Sequence, residues 1–389
     1  MSTRDAGALD GVGALDGVGI LGLGVALPPR VRDNSFWAGV IGPRDEAQRR
    51  GDVLAVERSA KGHKTEVPKE IAEAMAATGD DLFRGARERR VIDDDVLVSD
   101  LEVEAGRAAM ADARVTADEI DLVLVHSLIS DVLIPSNAPA VQDKLGLTRA
   151  AAWSLDVGCA STQAQLVTAA ALVKTGAFRR VLIVQSHAGT RSVDPKTVAS
   201  VNFGDAAAAA VVGEVPAGFG ILGQWQRTDG SLRDGIVLAP IVDGVAERSW
   251  WKTPVVPQLA SFDADVGKTA GLRAGEFCRE ASFGALERAG MRLEDVDLYL
   301  GNQSLGWFVD ACRRSLGLPV EKTFHTFAEV ANIGDAAILF NLLAAREAGR
   351  VRHGSRLLLY SPAAGFTRSA IVMRWWAPGS EHLEKDGAA

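Results

Sequence analysis

DVGCAS, residues 156–161, puts a cysteine where an apolar strand pattern ends and a long amphipathic helix begins. A cysteine delivered to a helix N-terminus meets free amide N–H groups and the positive end of the helix dipole, which favour thiolate over thiol. Cysteines so placed titrate at about 3.5–7.5 instead of about 8.5, and the thiolate is the nucleophile. The competing reading of Cys159 is a small buried core residue. Cys278 and Cys312 fall within helical patterns and read as core.

Outward from this motif, strand and helix patterns alternate. Apolar spacings of three and four predict helices over Val103–Arg114, Ala138–Leu145, Ala160–Thr175, Gly267–Ala289, Val309–Leu316 and Asp335–Ala348. Three strand ends recur in the same order. ADEIDLVLVHS (117–127) matches LEDVDLYLGNQ (293–303), GAFRRVLIVQS (176–186) matches RHGSRLLLYS (352–361), and NFGDAAAAAVVG (202–213) matches AAGFTRSAIVMRW (363–375). The pattern predicts two related halves, 17–215 and 216–377, in an α/β fold whose buried sheets are covered by helices. A nucleotide-binding fold would also alternate. However, GLGVALPP (22–29) runs into prolines, not a helix, and no GxGxxG or GxxxxGK[ST] follows a strand. Gly19 to Ala26 reads as the first strand. Residues 1–16 and 378–389 read as tails. Residues 34–90, with the run RGARERR (84–90), do not fit the repeat and suggest an ordered cap or a solvated insertion. Trp250 and Trp251, beside two prolines, could line an acyl channel or pack an interface, packing being the simpler reading.

Composition narrows the function. The 389 residues are 47% hydrophobic and 24% charged, ordinary for a globular chain. A net charge of −8 offers no footprint for nucleic acid or an anionic membrane. Three cysteines without CxxC spacing argue against a zinc site and a disulfide framework, and suit a reducing cytoplasm. No apolar run is long enough to span a bilayer, and the N-terminus lacks signal-peptide character.

DVGCAS, VLIVQS (181–186), NFGDAAAAAVVG, GNQSLGWF (301–308), ANIGDAA (331–337) and AAGFTRSAIVMRW occur in one order. Together they resemble the thiolase superfamily, and within it β-ketoacyl-ACP synthase III and related acyltransferases. The resemblance implies a duplicated five-layer αβαβα fold, a homodimer, and ping-pong acyl transfer. Cys159 would take an acyl group from an acyl-CoA or acyl-carrier thioester, and a second substrate would remove it. The oxyanion would lie between the amides of Cys159 and Gly365, such donors being worth about 3–4 kcal/mol each. No resident cofactor is implied; the phosphopantetheine thioester is substrate.

The chain departs from this pattern at the strand end Gly301-Asn302-Gln303-Ser304, where the family carries His-Gln-Ala-Asn. Asn302 stands in the histidine's place, and Asn332 matches the downstream asparagine. Asparagine can donate to a thioester carbonyl but cannot take up a proton near pH 7. Three explanations offer themselves: a replacement histidine (His126, His187 or His325), an acceptor needing little base help, or loss of condensation. Asp335 could be a base or the cap of the following helix, and capping is the default. Asp205 reads as a turn holder. In the resemblance, Gln303, Ser304 and Trp307 border the pantetheine arm, and Arg84, Arg87, Arg89 and Arg90 could meet a phosphate or an acidic carrier. A solvated charge run is the simpler reading of the arginines. The expectation is a cytoplasmic homodimeric acyltransferase of polyketide- or fatty-acid-type specialised metabolism. A non-catalytic partner subunit and a thioester hydrolase are the alternatives.

Overall fold

The computed structural model describes residues 15–40, 67–78 and 81–377. Its large sheet has nine strands: β1 (Val18–Ala26), β2 (Leu122–Ser127), β3 (Ala151–Ser154), β4 (Val181–Ala188), β5 (Asp205–Glu214), β6 (Gly220–Thr228), β7 (Leu298–Gly301), β8 (Arg356–Ala363) and β9 (Thr367–Arg374). The order across it is β7-β8-β9-β6-β1-β5-β4-β2-β3. One pairing scheme occurs twice. β2 lies parallel to β4, β4 antiparallel to β5 and β5 antiparallel to β1. In the same way β7 lies parallel to β8, β8 antiparallel to β9 and β9 antiparallel to β6. The two sets meet where Val18 of β1 pairs with Gly220 of β6.

Nine helices occur among the described residues: α1 (Lys69–Ala76), α2 (Val98–Ala113), α3 (Ala138–Lys144), α4 (Ser161–Lys174), α5 (Ala264–Leu272), α6 (Ala274–Arg288), α7 (Phe308–Leu316), α8 (Phe327–Val330) and α9 (Ala336–Glu347). Side-chain alternation along the strands sets the layers. On β5, Ala206, Ala208, Ala210 and Val212 face a core containing Leu166 and Ala169 of α4 and Ile338 and Leu342 of α9. The intervening Ala207, Ala209 and Val211 face α2 and α3 instead. On β8, Leu357 and Leu359 join the α4–α9 core, while Leu358 and Tyr360 face α6 and α7. The helix pair α4 and α9 is therefore the middle of five layers, with a set of strands and an outer helix layer on each side.

Gly22 and Gly24 of β1 show what their glycines do in place of phosphate binding. A Cβ on Gly24 would stand 2.2 Å from Ala105 O and from Ala109 N, and one on Gly22 would stand 2.3 Å from Ala113 N. The strand lies directly on the backbone of α2 along its Ala105–Ala109–Ala113 stripe.

Several expectations change. The predicted helix 267–289 is two helices, α5 and α6, hinged at Arg273, which ends one and begins the other. Leu15 and Asp16, assigned to the tail, belong to the fold: Leu15 is buried and Asp16 bridges Gly220. Of the 34–90 stretch, residues 41–66 and 79–80 lie outside the described residues, as do the tails 1–14 and 378–389. The solvated reading of RGARERR holds for exposed Arg87, which pairs with Glu329 at 2.8 Å, but not for Arg89. Arg89 is buried, with its guanidinium 4.5 Å from the Trp37 ring centroid and its Nε donating to Val201 O at 2.7 Å. Flat stacking and a buried carbonyl suit a guanidinium better than its charge would suggest. Trp250 and Trp251 pack no core; they form an edge-to-face pair 45% and 67% exposed. Cys278 and Cys312 are buried as expected. Among the described residues no helix is long and apolar enough to cross a membrane, and no cluster of metal-ligating side chains occurs.

The contact between β1 and α2 makes a direct prediction. Gly24→Ala forces the strand off the helix and lowers stability by roughly 1–3 kcal/mol. Gly230→Ala, whose Cβ meets nothing within 4 Å, stays within about 0.5 kcal/mol of wild type. Urea unfolding of both variants checks the difference.

Candidate active site

Cys159 lies in the short turn that joins β3 to α4. Ser161 pins this turn: its hydroxyl accepts from Val157 N at 2.8 Å and donates to Gly158 O at 2.7 Å. Gly158 has φ +54°, a left-handed conformation in which a side chain would be strained. A Cβ there would also meet Ala363 Cβ at 3.4 Å and Ala364 O at 3.7 Å. The turn that carries the sulfur thus touches the Ala363–Phe366 turn of the second half. Gly365 has φ +110° and open space where a Cβ would lie.

The helix does not activate the sulfur as expected. α4 begins at Ser161, two residues after Cys159. The Cys159 thiol is pushed up to about 12, first by burial and then by the negative charge of Asp335, with Asp156 adding to it. Only its own backbone N–H pulls the other way. Desolvation and two carboxylates outweigh the dipole, and the resting group is a thiol with a partly accessible surface.

The carboxylates belong to an arrangement centred on His126, at the end of β2. His126 Nδ1 lies 2.6 Å from Asp335 Oδ2, and Nε2 lies 3.1 Å from Asp156 Oδ1. Asp335 is buried at the start of α9, whereas the Asp156 side chain is 70% exposed. Burial alone would push the imidazole down, but the charges and hydrogen bonds of Asp335 and Asp156 hold it up at about 10. Its bond to His126 is the main reason that Asp156 is held down at about 2. Asp335 is raised, because burial outweighs the pull of the imidazolium. Near pH 7 the ring therefore carries a proton on each nitrogen and donates to a carboxylate on either side.

Other sequence-predicted residues stand around this group. His187 is buried, stacks on Phe203 and donates from Nδ1 to Gly204 O at 2.8 Å. Burial holds it down at about 4, so it is neutral. Asn302 is fully committed at its two ends: Nδ2 donates to Gly334 O at 2.7 Å and Oδ1 accepts from Ser304 Oγ at 2.7 Å. It ties β7 to the loop before α9 and is not an open donor facing the sulfur, and Ser304 is turned onto it. Gln303 is likewise a tie, to Ala331 O, Thr326 N and Asn341 Nδ2, and does not present itself to a substrate. Trp307 packs against the α6–α7 core beside Phe308. His325 lines a different cleft, with Asp310 and Arg313. Asn332 is the polar side chain left available. Its backbone is clamped between Asn202 O and Gly204 N, and its Oδ1 accepts from Gly334 N at 2.8 Å, leaving Nδ2 uncommitted among the described residues. Asp205 holds the adjoining loop by accepting from Ile92 N and Thr190 N at 2.9 Å each.

Two carboxylates shape the site beyond the residues that the family motifs point to. Of the two readings of Asp335, base or cap, the default one fails: it makes no side-chain bond to the helix it precedes. Asp156 was passed over altogether, although an acid three residues before the cysteine at a strand end was a visible signal.

The sequence and the fold have known relatives. Residues 154–230 match the family model described as 3-oxoacyl-[acyl-carrier-protein (ACP)] synthase III, and residues 286–375 match its C-terminal model. The chain is similar to a beta-ketoacyl-[acyl-carrier-protein] synthase III of Bacillus pumilus, 33% identical over 311 residues, which cover 78% of this chain and 92% of the relative. Among solved structures it is similar to the synthase III of Thermus thermophilus, at TM-score 0.70 and 29% identity, covering 92% of this chain and 99% of that one. A 3-oxoacyl-(acyl carrier protein) synthase III of Pseudomonas aeruginosa PAO1 superposes at TM-score 0.75 and 23% identity, covering 93% and 99%.

The His126 arrangement predicts a pH dependence. The imidazole titrates near 6.5 in an unfolded chain and at about 10 here. Its contribution to stability is complete below about 6.5 and is lost as pH rises through about 10. The thermal midpoint of wild type should fall more steeply between pH 7 and pH 10.5 than that of His126→Gln, as scanning calorimetry of the two would show.

Proposed function

The chain belongs to the 3-oxoacyl-[acyl-carrier-protein] synthase III family, and from that membership we propose an acyl transfer in which Cys159 is acylated by a coenzyme A or carrier-protein thioester and then yields the acyl group to a second substrate. The observation that carries the reading is the contact of the Cys159 turn with the Ala363–Phe366 turn. It sets the Cys159 turn of the first half against the Gly365 turn of the second, which supports a site built from both halves of the chain. As the sulfur attacks the thioester carbonyl, the developing oxyanion is held between the amides of Cys159 and Gly365. Asn332 Nδ2 is the donor for the carbonyl of the second substrate.

The acceptor differs from that of an ordinary chain-initiating synthase. Asn302 stands where the family's histidine would, and both of its ends are committed within the protein. His187 uses Nδ1 on Gly204, and His126 is already protonated. The neutral imidazole of this site, His187, is buried and held down at about 4, a weak base for an acceptor's proton; this favours an amine or an already acidic β-dicarbonyl carbon as acceptor, in specialised metabolism. A hydrolase would need a base for water, and the same protonated His126 disfavours it. The high pKa of Cys159 favours one second reading, a partner subunit that does not turn over.

A homodimer is part of the proposal. The loop after β2 presents Val132, Leu133 and Ile134 at 54%, 80% and 88% exposure, and β3 leaves an unpaired edge. Both are surfaces that a second copy would cover.

Intact-mass measurement after incubation with a panel of acyl-CoA and acyl-carrier donors tests the reading. Wild type is expected to gain the mass of one acyl group, and Cys159→Ala none. No adduct with any donor, and no free acid released, would move the assignment to the partner subunit.

A further inference from the structure

We propose that Asp335 is the proton-handling group of this site, taking the Cys159 proton during acyl loading and the acceptor's proton during transfer, with His126 as the positioning residue that holds its carboxylate. The inference rests on the acyl-transfer reading above and supplies the base which that reading lacks.

Asp335 occupies the N-cap position of α9 but caps nothing there. Its carboxylate receives His126 Nδ1–H at 2.6 Å. Its backbone carbonyl accepts from Thr162 Oγ1 at 2.7 Å, which holds the start of α9 against the first turn of α4. Through His126 the carboxylate is also linked to Asp156, three residues before Cys159, and its charge raises that thiol. No side chain other than His126 donates to it among the described residues.

The other titratable groups here are poor acceptors. His126 has both nitrogens committed as donors, to Asp335 and Asp156. His187, on β4, is neutral and packs against Gly334, with Nδ1 on Gly204 O. Asp156 is exposed and held at about 2, too acidic to accept a proton from a thiol or amine. Asp205 is also raised by burial, to about 6, but its oxygens are taken by Ile92 N and by Thr190 N and Oγ1. Asp335 is raised by burial and linked to the Cys159 turn, and a base tuned upward is better matched to neutral pH.

The two half-reactions balance. In loading, the Cys159 S–H bond breaks and its proton passes to Asp335 as sulfur bonds to the acyl carbon. The carbon–sulfur bond to the donor then breaks, and Asp335 returns the proton to the departing thiolate. In transfer, Asp335 takes the acceptor's N–H or C–H proton as the new acyl bond forms, and gives it to the Cys159 sulfur as that thioester breaks. No oxidant or further reactant is needed.

Asp335→Asn tests this in the full-length protein. His126 would keep Asp156 as its counter-ion, so the buried imidazolium is not orphaned. Two rates are compared with wild type: alkylation of Cys159 by iodoacetamide across pH, followed by peptide mass, and acyl-enzyme formation from the donor that loads wild type. The proposal expects opposite changes. Alkylation needs only a thiolate, so its pH profile should move down by about one unit once the neighbouring charge is gone. Acyl-enzyme formation at pH 7.5 should fall by about 100-fold for want of the base. A merely damaged site would lose both.

Acyl loading within about threefold of wild type, or an alkylation profile that does not move, would overturn the role of Asp335 while leaving acyl transfer intact. Should wild type itself accept no acyl group, the acyl-transfer reading fails and the proton role with it, whatever the alkylation profile shows. If Asp335→Asn does not fold, the double variant His126→Gln/Asp335→Asn removes the buried pair together and must show the same two changes.

Discussion

The Thr162 hydroxyl bonded to the Asp335 carbonyl marks the constraint on which the rest of the molecule depends: two helices with buried first turns, α4 and α9, must begin at one place. Both lie in the middle layer, covered on either face by strands. A helix so enclosed cannot leave the polar groups of its first turn to water, and each must find a protein partner. The loops that supply these partners also supply the chemistry. Asn332 is clamped by the loop before β5, Asn302 by Gly334, and the Cys159 turn by Ser161.

The same burial sets the electrostatics. In a dry layer the Coulomb term between His126 and its two carboxylates outweighs the cost of desolvating the ring, and the imidazole stays charged. The sulfur beside it meets a net negative environment and remains a thiol. This site is unlike one in which a helix dipole prepares a thiolate in advance. Here the nucleophile is reached through proton transfer, and the acidity of the acceptor and the placement of a carboxylate matter more than resting ionisation.

The duplicated topology puts His126 and Asn302 at equivalent strand ends, the first in the last residues of β2 and the second just after β7. In this chain the ionisable side chain sits on the first-half strand and the amide on the second. The amide has become a structural tie, and the imidazole has gained a carboxylate from the opposite half. Exchange of chemistry between pseudo-equivalent positions is simple in such a fold, because both strand ends open toward the same two helix N-termini.

Much of this was legible in the amino-acid order. The three repeated strand ends, the unbroken run of five alanines and two valines along β5, and the helical spacings of Ser161–Lys174 and Ala336–Glu347 required a layered duplicated α/β fold, since only burial on both faces explains strands so uniformly apolar. The cysteine, the missing histidine and the candidacy of His126 were legible for the same reason: strand ends are where such a sheet presents its side chains. Tertiary structure alone decided how these groups are charged and which of them are free. A hydrogen-bond partner 209 residues away leaves no mark on local pattern, so Asp335 read by default as a helix cap; Asn302 read as an open donor because its tie to Gly334 is also made only in the fold. The protonation state of Cys159 depends on burial and on Asp335, which only the packing of α9 against α4 brings to the Cys159 turn, as well as on its sequence neighbour Asp156.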